Sequence, residues 1–107
     1  MSKKLGDIAE QKGCDHLIAL GYEVVDRNFH CRFGEIDIVA KRDGVYHFFE
    51  VKSGSNYNPI YNITPAKLQK IIKAVNIYLK QKNINCAYSI DALTVTDVVE
   101  IYENITL

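Results

Sequence analysis

Two short strings in this chain, Gly34-Glu35-Ile36-Asp37 and Glu50-Val51-Lys52, combine acidic oxygens with one ammonium, and Asp43-Gly44 lies between them. Carboxylates with no His or Cys inside either string form a hard donor set. Such a set favours Mg²⁺ or Mn²⁺ over zinc. An ion of that kind lowers the pKa of a bound water and neutralises charge on a phosphoryl group. A lysine beside it can steady the attacking water or the negative charge that develops as a bond breaks.

These groups meet only if the elements that carry them put them together. Glu35 to Lys41 and Val45 to Lys52 read as strands, and Asp43-Gly44 is a hairpin turn signal. With Asp43 and Gly44 as the two turn residues, Arg42 pairs with Val45. Asp37 then lies opposite Glu50, and Glu35 opposite Lys52. Opposed residues share a face and side chains alternate along a strand. Three carboxylates and an ammonium therefore project together, while Ile36, Ile38, Phe49 and Val51 turn to the other face as core. A slip by one residue would send the charges inward, so the register is constrained. Like charges opposed across a strand pair are destabilising, and Asp37 facing Glu50 asks for a cation between them.

The same alternation also fits the solvated face of an ordinary half-exposed sheet with two cross-strand ion pairs. The neighbourhood separates the two readings. Glu10 sits on the first helical stretch and could face the same site. The stretch from Ser53 to Ile63 reads as a loop long enough to carry substrate contacts. Lys67, Lys70, Lys73 and Lys80 mark the polar side of a second helix and suit a phosphate backbone. Arg27 and Arg32 could contact phosphates or be plain surface arginines. Tyr57 and Tyr61 could stack on unpaired bases or pin the loop. His47 is expected to pack with Phe49 rather than act as a base, and Asp91 to be a salt-bridged strand acid.

The remaining elements follow from periodicity. Lys4 to Leu20 reads as a helix with Leu5, Ile8, Ala9, Leu17 and Leu20 on one face, weakened at Gly13 and capped by Gly21. Tyr22 to Cys31 is rich in β-branched and aromatic residues, as strands are. Thr64-Pro65 is an N-cap followed by Pro at the first helical position. The helix after it has Leu68, Ile71, Ile72, Val75 and Tyr78 on one face and ends near Asn83. Tyr88 to Val95 and Val98 to Tyr102 close the chain as strands. The order α-β-β-β-α-β-β predicts an α/β (α+β) domain over residues 1–107, with one mixed sheet flanked by two helices.

The chain has 107 residues, 48% hydrophobic and 24% charged, which fits one globular domain rather than a disordered chain. No apolar run approaches the roughly 20 residues of a membrane span, and the N-terminus has no apolar stretch behind its lysines, so a cytoplasmic location is expected. The three cysteines lack finger-like spacing and are expected to be free thiols rather than zinc ligands. A formal net charge of zero counts against strong nonspecific DNA binding but allows a local basic face.

An acid, then E-x-K, across a hairpin, with a glutamate in the preceding helix and a lysine-bearing helix after it, resembles the PD-(D/E)XK nuclease superfamily. More closely, the chain resembles the YraN-like proteins, an uncharacterised family similar to archaeal Holliday-junction resolvases. The matching residues are Gly6, Ala9-Glu10, Gly21-Tyr22, Arg27-Asn28-Phe29, Gly34-Glu35-Ile36-Asp37, Glu50-Val51-Lys52, Lys67, Ala74 and Tyr78-Leu79. The resemblance implies a restriction-endonuclease-like αβββαβ core. It implies Asp37 and Glu50 as ligands of Mg²⁺ or Mn²⁺, Glu10 as a supporting metal ligand and Lys52 as the catalytic lysine. It sets Lys67, and beside it Gln69, near the site on the second helix. It implies a metal-dependent endodeoxyribonuclease acting on branched or otherwise non-duplex DNA. The superfamily also contains members that bind nucleic acid or protein without cutting. A small domain that cuts branched DNA often needs two sites, which is compatible with a homodimer, although nothing in the sequence marks its interface. This chain departs from the family pattern after Lys52, where Ser53-Gly54 and a Tyr/Asn-rich loop replace an Arg and a Phe-Gly.

Overall fold

The computed structural model describes residues 3–54 and 59–106. Its elements are α1 (Lys3–Ala19), β1 (Glu23–Cys31), β2 (Gly34–Arg42), β3 (Val45–Ser53), a short 3₁₀ turn (Pro59–Asn62), α2 (Pro65–Gln81), β4 (Tyr88–Val95) and β5 (Val99–Tyr102). The five strands form one sheet in chain order, β1-β2-β3-β4-β5. All neighbours are antiparallel except β3 and β4, which run parallel and are joined through α2. This is the expected mixed sheet with two helices, in the order of a restriction-endonuclease-like core. The 3₁₀ turn lies inside the stretch expected to be loop. Tyr57 lies outside the described residues, as does the side chain of Tyr61.

The β2–β3 turn is built as the Asp-Gly pair dictates. Asp43 has φ 53° and Gly44 φ 78°, the two left-handed residues of a type I′ turn, whose twist matches that of paired strands. From it the register runs Arg42↔Val45, Lys41↔Tyr46, Ala40↔His47, Val39↔Phe48 and Ile38↔Phe49.

Each helix covers one face of the sheet. On the α1 side Ala9, Cys14, Leu17 and Tyr22 pack on Ile38, Ala40, Phe49, Val51 and Leu93. On the α2 side Ile71, Ala74, Val75 and Tyr78 pack on Ile36, Val39, Phe48 and Ile90. Thr64 caps α2 by accepting the Lys67 N–H at 3.2 Å, with Pro65 opening the helix as expected.

The buried face of α1 differs from the expected one. Ile8 is 44% exposed and Leu20 47%, whereas Gly13 and Cys14 are buried. A Cβ on Gly13 would stand 3.0 Å from Leu93 Cδ2 and 3.4 Å from Ile38 Cδ1. Gly13 is thus the point where the helix backbone comes close to the sheet, and it is a packing device more than a weak spot.

Candidate functional site

The site begins where the hairpin stops being regular. Cα pairing between β2 and β3 runs no further than Ile38↔Phe49. At the next position the Val51 N–H donates to Asp37 Oδ2 at 2.8 Å, so a side-chain carboxylate takes the ladder proton. On the other flank β1 pairs Arg27↔Ile38 and Phe29↔Ile36. Asn28, between them, has φ 54°, a left-handed conformation uncommon outside glycine.

The pleat changes at this point. Ile38 packs on the α1 side, but Ile36 packs on the α2 side with Val39. The expectation that Ile36 and Ile38 share a face is therefore corrected. The change coincides with the left-handed backbone of Asn28 on the β1 side, where the register is kept, and with the Asp37–Val51 bond on the β3 side, where Cα pairing ends.

The charged groups still come together, by convergence on a cavity rather than by facing one another in register. One cavity of about 560 Å³ is lined by Glu35 and Asp37 of β2, Glu50 and Lys52 of β3, and Glu10 of α1. The two ion pairs between β2 and β3 that a solvated face would carry are not what forms here. Lys52 Nζ stands 3.3 Å from Glu50 Oε1 on its own strand, and Glu35 Oε2 stands 3.2 Å from His30 Nδ1 on β1.

Crowded carboxylates in a poorly hydrated cleft hold their protons more tightly. Burial pushes Asp37 up to about 7, and the Glu50 charge adds to it, while the Val51 amide works against the rise. Burial raises Glu50 as well, against the pull of Lys52. Burial also raises Glu10, against the nearby Arg27. Burial alone would lower Lys52, but the Glu50 carboxylate outweighs it and the ammonium is held more tightly than usual. The exposed Lys67 is lowered, chiefly because its head group meets that of Lys52.

This donor set fits a hard divalent ion. Five acidic residues, Asp7, Glu10, Glu35, Asp37 and Glu50, line it, and Glu10 Oε1 is buried without a hydrogen bond although Arg27 Nη2 lies 3.7 Å away. Among the described residues no three His, Cys, Asp or Glu side chains stand in ready ligating geometry. That is compatible with Mg²⁺, which commonly takes one or two carboxylates and keeps several waters.

The other expected contacts divide. Arg27 turns inward, to Glu10 and to Gln11 Oε1 at 2.9 Å. Arg32 and Lys73 both approach the Phe33 ring, at 4.8 and 5.3 Å. Lys70 packs beside Gly34, where an added Cβ would lie 3.6 Å from Lys70 Cβ. Gln69 is exposed on α2. Away from the cavity, His47 packs between Tyr22 and Phe49 and bonds through Nδ1 to Asp91 Oδ2 at 2.8 Å. Asp91 is fully buried and also accepts from the Ser89 hydroxyl and the Asn104 N–H. Both residues are thus packed as expected.

Asp7 and His30 line the cavity although the reading of the sequence assigned them no place there, and Asn28 entered only within the matching Arg27-Asn28-Phe29 string. The signal for His30 was present. Cys31 pairs with Gly34 around Arg32-Phe33, which sets His30 against Glu35. The turn reasoning used for β2 and β3 finds that pair when it is used for β1 and β2.

The model of the uncharacterised protein family UPF0102 matches residues 9–101. The chain belongs to the UPF0102 family. A UPF0102 protein of Wolinella succinogenes is 55% identical over 108 residues, covering 100% of both chains. One from Helicobacter pylori is 54% identical over 99 residues, 92% of this chain and 87% of the relative. One from Helicobacter hepaticus is 49% identical over 107 residues, 99% and 97% of the two chains. The UPF0102 match runs from Ala9 in α1 to Ile101 in β5, so it includes Glu10, Asp37, Glu50 and Lys52.

Proposed function

We propose that this chain is a metal-dependent endodeoxyribonuclease that hydrolyses phosphodiester bonds in branched or otherwise non-duplex DNA. The observation that carries the reading is the gathering of Glu10, Asp37, Glu50 and Lys52 on one cavity, with three carboxylates held against their own repulsion. Asp37 and Glu50, supported by Glu10, would hold Mg²⁺ or Mn²⁺. When bound, the ion supplies a more acidic water and charge neutralisation at phosphorus. Lys52 would hold the water or the non-bridging oxygens, kept in place by Glu50. Lys67, Lys70, Lys73 and Arg32 form no ion pair with an acid among the described residues, which leaves their charge for phosphates. DNA is the partner that this basic face suits.

Purified protein with Mg²⁺ or Mn²⁺ is expected to cut branched, nicked or single-stranded DNA, and Asp37→Ala and Lys52→Ala are each expected to abolish cutting. Activity that survives both substitutions would sink the assignment.

A second reading is a module that binds nucleic acid or a protein partner without cutting. What favours it is that Asp37 is already engaged with the Val51 amide and Lys52 with Glu50. It predicts no Mn²⁺ heat in a calorimetric titration and no difference between wild type and Glu50→Gln.

A further inference from the structure

Hydrolysis of a phosphodiester leaves an alkoxide, a poor leaving group unless it is given a proton. Carboxylate ligands serve the attack side and do not supply that proton. Among the described residues lining the cavity, Lys52 and His30 are the nitrogen groups that can donate a proton, and Lys52 Nζ is engaged with Glu50 at 3.3 Å. His30 is held differently. His30 and Glu35 are direct partners on the β1–β2 ladder, and Glu35 Oε2 holds His30 Nδ1 at 3.2 Å. A carboxylate on one ring nitrogen fixes the imidazole and leaves Nε2 as the exchanging position. The side chains are 68% and 55% exposed, so the pair stands on the outer wall of the cavity, open to an incoming strand. Glu35 thereby gains a role as orienter of an imidazole.

We infer that His30, oriented by Glu35, is the general acid that protonates the leaving oxygen during phosphodiester cleavage. This rests on the nuclease reading. The water oxygen forms the new bond to phosphorus and loses its proton to solvent. The bond from phosphorus to the leaving oxygen breaks, and that oxygen keeps the electron pair and takes the Nε2 proton. Neutral His30 then recovers a proton from solvent, so the cycle closes without a co-reactant. His30 is a catalytic residue in this scheme, and Glu35 a positioning residue.

The test compares leaving groups. Product ends from wild-type cleavage identify the leaving oxygen, and a second DNA substrate carries a bridging sulfur at that position. A thiolate leaves without being protonated. His30→Gln is expected to lose about 10²- to 10⁴-fold on the oxygen substrate, the span of general acid catalysis, and less than about tenfold on the sulfur substrate. Glu35→Gln is expected to show the same pattern with a smaller loss. Because both side chains are exposed, both variants are expected to melt as wild type does. An equal loss on both substrates, or no loss on the oxygen substrate, would overturn the role of His30 and leave the nuclease reading standing. Wild-type protein that cuts neither substrate with Mg²⁺ or Mn²⁺ would overturn the nuclease reading and this role with it.

Discussion

Asp37 carries a measurable cost. An ordinary aspartate titrates near 3.8, and this one is pushed up to about 7. Between those values the native state holds a proton that the unfolded chain has released. Native stability from this group is therefore full below about 4 and declines as pH rises to about 7, above which the ionised carboxylate is a standing penalty. Asp37→Asn is expected to melt several degrees higher than wild type at pH 8 and at nearly the same temperature at pH 4, equivalent to a few kcal/mol at most. Mg²⁺ at pH 8 should raise the melting temperature of the wild type and leave that of Asp37→Asn nearly unchanged, because an ion that binds only the native state stabilises it by mass action. That Asp37, Glu50 and Lys52 lie close together was readable from their spacing about the Asp43-Gly44 turn. What burial does to them was not, because it depends on how deep the cleft lies.

Among the elements, the hairpin was the most legible, since the turn residues and the alternation agree on one register. The break at Asp37 was not. It coincides with the left-handed backbone of Asn28 and with a side chain bonding to Val51, neither of which has a periodicity. The helix face was misread for a related reason. Hydrophobicity pointed to Ile8 and Leu20, but close approach selected Gly13, a residue with no side chain to register on any scale. Gly13→Val should therefore destabilise by about 1–3 kcal/mol through overpacking against Leu93 and Ile38, as read in denaturant melts. Ile8→Ser, on the half-exposed flank of the same helix, should cost under about 1 kcal/mol.

Over the whole molecule, a formal net charge of zero conceals separation. Five of the thirteen acids line the cavity, while Arg32, Lys70 and Lys73 cluster around Phe33 and Gly34. Lys70→Glu with Lys73→Glu should weaken binding to branched DNA and flatten its dependence on salt by about two counterions, read by anisotropy without added metal. An unchanged slope would remove this face from the interface. No helix among the described residues is long and apolar enough to cross a membrane. The single parallel pairing, β3 with β4, also bears on how the protein is made. Among the described residues, every group lining the cavity lies before the crossover, between Gly6 and Lys52. A ribosome therefore delivers the complete acidic cluster, with its mutual repulsion, well before β4 arrives to cover the other edge of β3. Pairings so far apart in sequence form late. The nascent chain is thus expected to carry these crowded acids for some time without the scaffold that aligns them.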